Sequence, residues 1–171
     1  MLFRKLSMSM AVVFTVAIVG ASRAEPPSSL SETYENWTVA CLGQGDKRRC
    51  AFSQRQVQKS GQRVLAIELV PSADGGLRGS LVLPFGLDLK RGAMFSIDDL
   101  PPGKPSHFKT CLPVGCILAL VFTKETTKAL RGSETLKIGT YASDEQQEVV
   151  FPISLKGFDA ALERTIGLTR K

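Results

Sequence analysis

From Tyr34 onward the apolar residues fall at every second position in short runs. These are Trp37/Val39/Cys41, Leu65/Ile67/Leu69, Leu77/Gly79/Leu81/Leu83, Ala93/Phe95/Ile97, Leu136/Ile138 and Val149/Phe151/Ile153. Such alternation sets one apolar row on one face of a strand, the pattern of a half-buried sheet. Turn chemistry separates the runs at short intervals, at Ser60-Gly61, Ala73-Asp74-Gly75-Gly76, Lys90-Arg91-Gly92 and Pro101 to Pro105. Residues Cys116 to Phe122 are apolar throughout. That predicts a central strand buried on both faces.

Only two segments predict helix. Lys124 to Arg131 has Thr123 as N-cap and Gly132 as stop. Leu155 to Ile166 has Ser154 as N-cap, sets Phe158, Ala161, Leu162 and Ile166 on one face, and has Gly167 beyond its end. Gly157 would fall inside that helix, at a cost of about 1 kcal/mol relative to Ala. Many short strands with little helix specify an all-β, antiparallel sandwich closed by a short C-terminal helix.

The start of the chain has a different character. Arg4 and Lys5 precede an apolar run from Met10 to Ala21, followed by Ser22-Arg23-Ala24. This is the pattern of a secretory signal peptide over residues 1–24, cleaved between Ala24 and Glu25. A run of about a dozen residues falls short of the roughly 20 needed to span a bilayer, so no transmembrane segment is expected once the leader is removed. Residues 25–33 are polar and rich in Pro and Ser, and predict a flexible lead-in to a single domain over 34–171. Whole-chain net charge is +6, but Arg4, Lys5 and Arg23 belong to the leader, which holds no acid. Residues 25–171 therefore carry only +3. This mild charge, with most aromatics on apolar strand rows, argues against nucleic-acid binding.

Export into an oxidising compartment makes disulfides the expected state of Cys41, Cys50, Cys111 and Cys116. Four cysteines allow three connectivities. Local pairing, Cys41 with Cys50 and Cys111 with Cys116, is favoured because each pair brackets turn residues that would bring two antiparallel strands together. These are Gly43-Gln44-Gly45-Asp46 in the first and Pro113-Val114-Gly115 in the second. Closing such short loops contributes about 2 to 3 kcal/mol each in the chain-entropy model. Neither spacing is Cys-x2-Cys and His107 is the only histidine, which argues against zinc and against a thiol redox motif.

No catalytic constellation emerges. His107 sits beside the Pro-rich loop with no placed nucleophile, and Asp98-Asp99 reads as a turn before Leu100-Pro101-Pro102 rather than as a carboxylate pair. Gly43-Gln44-Gly45 does not continue into a phosphate-binding fingerprint. The glycosylation triplet Asn36-Trp37-Thr38 falls in a strand pattern and is read as chance. The expectation is a non-enzyme with no cofactor and no metal. Lys47-Arg48-Arg49, at the tip of the proposed Cys41/Cys50 hairpin, forms a candidate partner surface for an anionic group, although Lys and Arg also serve to guard sheet edges. Further basic pairs stand at Lys90-Arg91 and Arg170-Lys171. The Pro101 to Pro105 loop is the second candidate surface.

Taken together, the residues resemble the invasion-associated locus B (IalB) family of exported bacterial proteins. The resemblance rests on Trp37-Thr38-Val39-Ala40-Cys41, Cys50, Pro84-Phe85-Gly86-Leu87-Asp88-Leu89 with Gly92, Cys111-x-x-x-Gly115-Cys116, and Ser154-Leu155-Lys156-Gly157-Phe158-Asp159-Ala160-Ala161-Leu162. It implies an immunoglobulin-like β-sandwich, a periplasmic or cell-envelope location with the outer surface or secretion as variants, and in some members a role in host-cell invasion. It supplies no catalytic residues. Motif and pattern agree that Trp37 and Phe151 are core, that Gly86, Gly92 and Gly115 take special turn conformations, and that Phe158, Ala161 and Leu162 dock the last helix. The functional expectation is an interaction module that binds an envelope or host-surface protein. The alternative is a small-ligand or lipid-binding sandwich.

Overall fold

Alternation and turns build ten strands and two helices in the computed structural model, which describes residues 29–144 and 147–169. In chain order these are β1 (Ser29–Tyr34), β2 (Trp37–Leu42), β3 (Arg49–Val57), β4 (Arg63–Pro71), β5 (Leu77–Leu83), β6 (Met94–Ile97), β7 (Phe108–Leu112), β8 (Gly115–Phe122), α1 (Lys124–Arg131), β9 (Thr135–Tyr141), β10 (Glu148–Ser154) and α2 (Phe158–Thr169). A seven-stranded sheet runs β1-β2-β3-β4-β5-β8-β7 and a three-stranded sheet runs β10-β9-β6. Every pairing is antiparallel. The leader, its Ala24/Glu25 cleavage site and Arg170-Lys171 lie outside the described residues.

The inner face of the large sheet is shared. Helix α2 packs on β1 to β4, and Phe95 of β6 meets Phe122 of β8 edge-on at 6.3 Å. Trp37, Phe52 and Phe158 form a mutual cluster with ring centroids 5.2 to 5.4 Å apart, all essentially without exposure. The edge-to-face contacts of Phe158 with Trp37 and Phe52 add about 0.5 to 1.5 kcal/mol per pair beyond burial. The Trp37 indole N–H donates to the Ser154 carbonyl at 3.0 Å, and the same oxygen accepts from Gln54 Nε2 at 2.8 Å. Gln56 Nε2 donates to the Pro152 carbonyl at 2.7 Å. Side chains of the large sheet thus satisfy the outward carbonyls of edge strand β10 and join the two sheets at that seam. Phe151, Phe158, Ala161 and Leu162 are buried, as the pattern required.

Three sequence expectations change. First, the lead-in does not extend to residue 33, because Ser29 to Tyr34 pair along the whole of β2. Arg164 of α2 holds this strand by a two-pronged ion pair with Glu32, Nε to Oε2 at 2.7 Å and Nη2 to Oε1 at 2.8 Å. That guanidinium, helped by the Tyr34 hydroxyl, lowers the Glu32 carboxyl from 4.5 to about 2. Second, β8 is not buried on both faces. It is next to the edge strand β7, and Ala119 and Val121 face solvent. Third, α2 begins at Phe158, so Gly157 precedes the helix and Gly167 lies within it. Ser154 ends β10 instead of capping α2, and its hydroxyl accepts from the Lys156 amide at 3.3 Å.

Gly157 has φ +85°, and a Cβ placed there would come within 2.1 Å of the Tyr34 carbonyl oxygen. The segment entering α2 crosses the end of β1 too closely for any side chain. Helix α1, by contrast, keeps its expected bounds, and the Thr123 hydroxyl accepts from the Thr126 amide at 3.2 Å.

The two glycines give opposite expectations. Gly157→Ala should lower stability by about 2 kcal/mol or more, from positive φ and the backbone clash. Gly167→Ala meets nothing within 4 Å and should raise stability by about 0.5 to 1 kcal/mol. Urea unfolding of both variants against the parent checks the pair. Equal effects would contradict the observed start of α2.

Candidate functional site

The Lys47 to Arg49 segment sits where β2 turns into β3. Cys41 and Cys50 face each other in register, Cα atoms 4.0 Å apart, and their disulfide closes the base of the turn. Above it Gly43, at φ +82°, lets the chain reverse; a Cβ there would meet the Lys47 carbonyl oxygen at 2.7 Å. A single 3-10 turn, Gly45–Lys47, follows, with the Lys47 amide donating to the Gln44 carbonyl at 3.1 Å and the Arg48 amide to the Gly45 carbonyl at 3.0 Å. A short, glycine-bent and covalently closed loop is thereby held in one shape.

Its three basic side chains are not equivalent. Arg49 folds back on the loop, Nη1 donating to the carbonyls of Asp46 at 2.9 Å and Arg48 at 3.0 Å. Arg48 is half-buried, and its Nε is shielded from water without a hydrogen-bond partner. Lys47 projects into solvent. The loop and the end of α2 enclose a recess of about 290 Å³ lined by Gln44, Gly45, Asp46, Arg48, Arg49, Leu168 and Thr169. The contribution of α2 was not legible beforehand, because Leu168 and Thr169 reach the loop only through the docking of a helix distant in sequence.

The remaining candidates are dispersed. The Pro101 to Pro105 loop runs beside β6, pinned by the Gly103 amide on the Phe95 carbonyl at 2.9 Å and by Ser106 exchanging bonds with Ala93. His107 follows it, exposed. Asp98 does more than open a turn. At φ +49° its carboxylate accepts from the Thr135 amide at 2.8 Å and the Glu134 amide at 3.1 Å, anchoring the start of β9, and those bonds lower its pKa. Asp99 pairs with Lys137 at 3.1 Å. Asn36 lies in the exposed turn between β1 and β2 instead of within a strand. Arg91 stacks on the Tyr141 ring, 3.3 Å from its centroid. Gly86, Gly92 and Gly115 all have positive φ. The second disulfide, Cys111 to Cys116, staples the β7–β8 hairpin with Cα atoms 3.9 Å apart. Among the described residues, no three His, Cys, Asp or Glu side chains gather closely enough to hold a metal. No helix among them is long and apolar enough to cross a membrane.

The family model for "Invasion associated locus B (IalB) protein" matches residues 37–165, from the first buried strand into α2. The chain belongs to the IalB family. An "Invasion protein B homolog" of Brucella abortus strain 2308 is 40% identical over 166 residues, covering 96% of this chain and 95% of the relative. "Invasion protein B" of Bartonella bacilliformis is 28% identical over 145 residues, covering 84% of this chain and 78% of the relative. The crystal structure of invasion associated protein B from Bartonella henselae is similar at TM-score 0.76 and 31% identity, over 82% of this chain and 97% of that one. The IalB match takes in both disulfides and the Trp37 cluster, but begins after β1, the strand whose sequence is least strand-like.

The unequal roles of the basic residues are testable. Arg49→Ala should release the loop and raise amide hydrogen exchange at Lys47 and Arg48 by about tenfold, since exposed local structure opens with small free energies. Lys47→Ala should leave that exchange unchanged. The same rise in both variants would contradict the assigned roles.

Proposed function

We propose that this IalB-family chain is an exported, non-enzymatic interaction module of the bacterial cell envelope, which binds a protein partner there or on a host surface through its stapled β2–β3 loop. The observation that carries the reading is the disulfide between Cys41 and Cys50 beneath a fixed loop that offers Lys47 to solvent. Pre-organising a loop lowers the entropy lost on binding, and a rigid scaffold carrying short loops is the usual setting of a recognition surface. All four cysteines are consumed in disulfides, which supports maturation in an oxidising compartment. The relatives named invasion proteins support a role at the boundary between bacterium and host.

A ligand held between the sheets finds less support. Trp37, Phe52, Ile67, Leu81, Leu118 and Ile138 fill that space and are fully buried. The recess beside the Lys47 loop is a surface feature.

A photo-crosslinking residue replacing Lys47 in cells that express and export the chain tests the reading. One discrete protein adduct is expected from position 47 and none from Lys128 on α1. No adduct at position 47, or the same adducts at both, would remove the loop as the partner surface.

A further inference from the structure

The outward face of the seven-stranded sheet carries apolar side chains beside polar ones where water should meet polar residues alone. An antiparallel sheet with one solvated face ordinarily alternates apolar-in with polar-out. Here Ala51 and Val70 on one side and Ala66 and Val82 on the other flank a polar row, Thr38, Ser53, Glu68 and Ser80, that ends on Ala119; these residues and Val121 all point away from the buried core. This is the physical reason why the sequence from Cys116 to Phe122 looks buried on both sides although the chain itself covers only one.

Three charges interrupt this face in a particular order. Arg55 on β3 lies opposite Ala66, Glu68 is two residues along the same β4 strand, and Arg78 on β5 lies opposite Val70, two residues further on. Arg55, Glu68 and Arg78 therefore share one diagonal, with about 7 to 8 Å between neighbours. Among the described residues none of the three forms a salt bridge or a side-chain hydrogen bond, although the Arg78 charge acts on the nearby Asp74 carboxylate. A two-fold axis lying in the plane of contact and crossing this diagonal between Glu68 and Arg78 would set each Glu68 against the Arg78 of another copy, twice over. The pattern is self-complementary, as a closed two-fold interface requires.

Size and texture agree. Seven strands of this length present a face of about 700 Å², close to the roughly 800 Å² per partner of a standard interface. Small and β-branched side chains leave the surface flat enough for two sheets to stack about 10 Å apart. Two of the three charges are Arg, and none of the rows named carries Lys or an aromatic anchor, which suits a protein interface better than a lipid surface.

We propose that the outer face of the seven-stranded sheet is the contact surface of a two-fold homodimer, registered by reciprocal Glu68–Arg78 pairs across β4 and β5. The surface is separate from the Lys47 loop and leaves both copies of that loop open.

Sedimentation equilibrium on the exported, disulfide-intact protein tests this, with Trp37 fluorescence and circular dichroism confirming that each variant is folded. The parent should sediment as a dimer. Glu68→Arg and Arg78→Glu should each weaken the dimer by about tenfold or more, since like charges would then face each other. The double variant carrying both changes should recover the dimer. A parent that stays monomeric up to its solubility limit would overturn the proposal, whether it remains free, sediments with phospholipid vesicles or pairs only with a foreign protein. So would a dimer indifferent to Glu68→Arg.

Discussion

The indole of Trp37 lies where three parts of the chain meet: β2, which carries it, β3 through Phe52, and α2 through Phe158. Its N–H reaches a fourth, the Ser154 carbonyl at the end of β10. Among the described residues, no other position contributes both a large apolar surface and a hydrogen bond to the junction of the two sheets. Burying an indole without a partner for its N–H would leave a desolvated donor, so the site of Trp37 and the path of β10 determine one another. Gln54 uses the same carbonyl from the neighbouring strand, which explains how an amide is tolerated on the core face of β3.

Around this junction, stability and the candidate recognition surface are carried by different parts. The two disulfides stand at hairpin ends, Cys41 with Cys50 and Cys111 with Cys116, where they fix turns beside the continuous apolar core. The first turn holds the Lys47 loop, and at its far side the end of α2 completes the recess. Because α2 is placed by Phe158 in the Trp37 cluster, the floor of the candidate site depends on packing at the opposite end of the helix.

Much of this was legible in the sequence, and the exceptions have physical reasons. Strands β2, β4, β5, β6, β9 and β10 showed their apolar rows openly, and the close cysteine pairs indicated hairpins that the structure contains. Strand β1 did not, because the residues it turns towards α2 include Glu32, and an ion pair with Arg164 replaces the apolar contact that a pattern reading looks for. The bounds of α2 were misplaced because Gly157 was read as a flaw within a helix, when it is the crossing point after which the helix starts, at Phe158. The full burial expected of β8 failed on one face, where Ala119 and Val121 join the apolar side chains on the outer side of the sheet. The basic triplet was visible as a charge cluster, but only geometry separates Arg49, which holds the loop, from Lys47, which is free to meet a partner.

The central claim is that both sheets and the last helix form one cooperative unit joined at Trp37. Since Trp37 is the only tryptophan, its fluorescence reports that junction alone. Equilibrium urea unfolding should be followed simultaneously by this fluorescence and by far-ultraviolet circular dichroism. The account predicts a single transition in which the two signals superimpose. A fluorescence change completed at lower urea than the loss of sheet signal would contradict it, because the sheets would then outlast the contact said to join them.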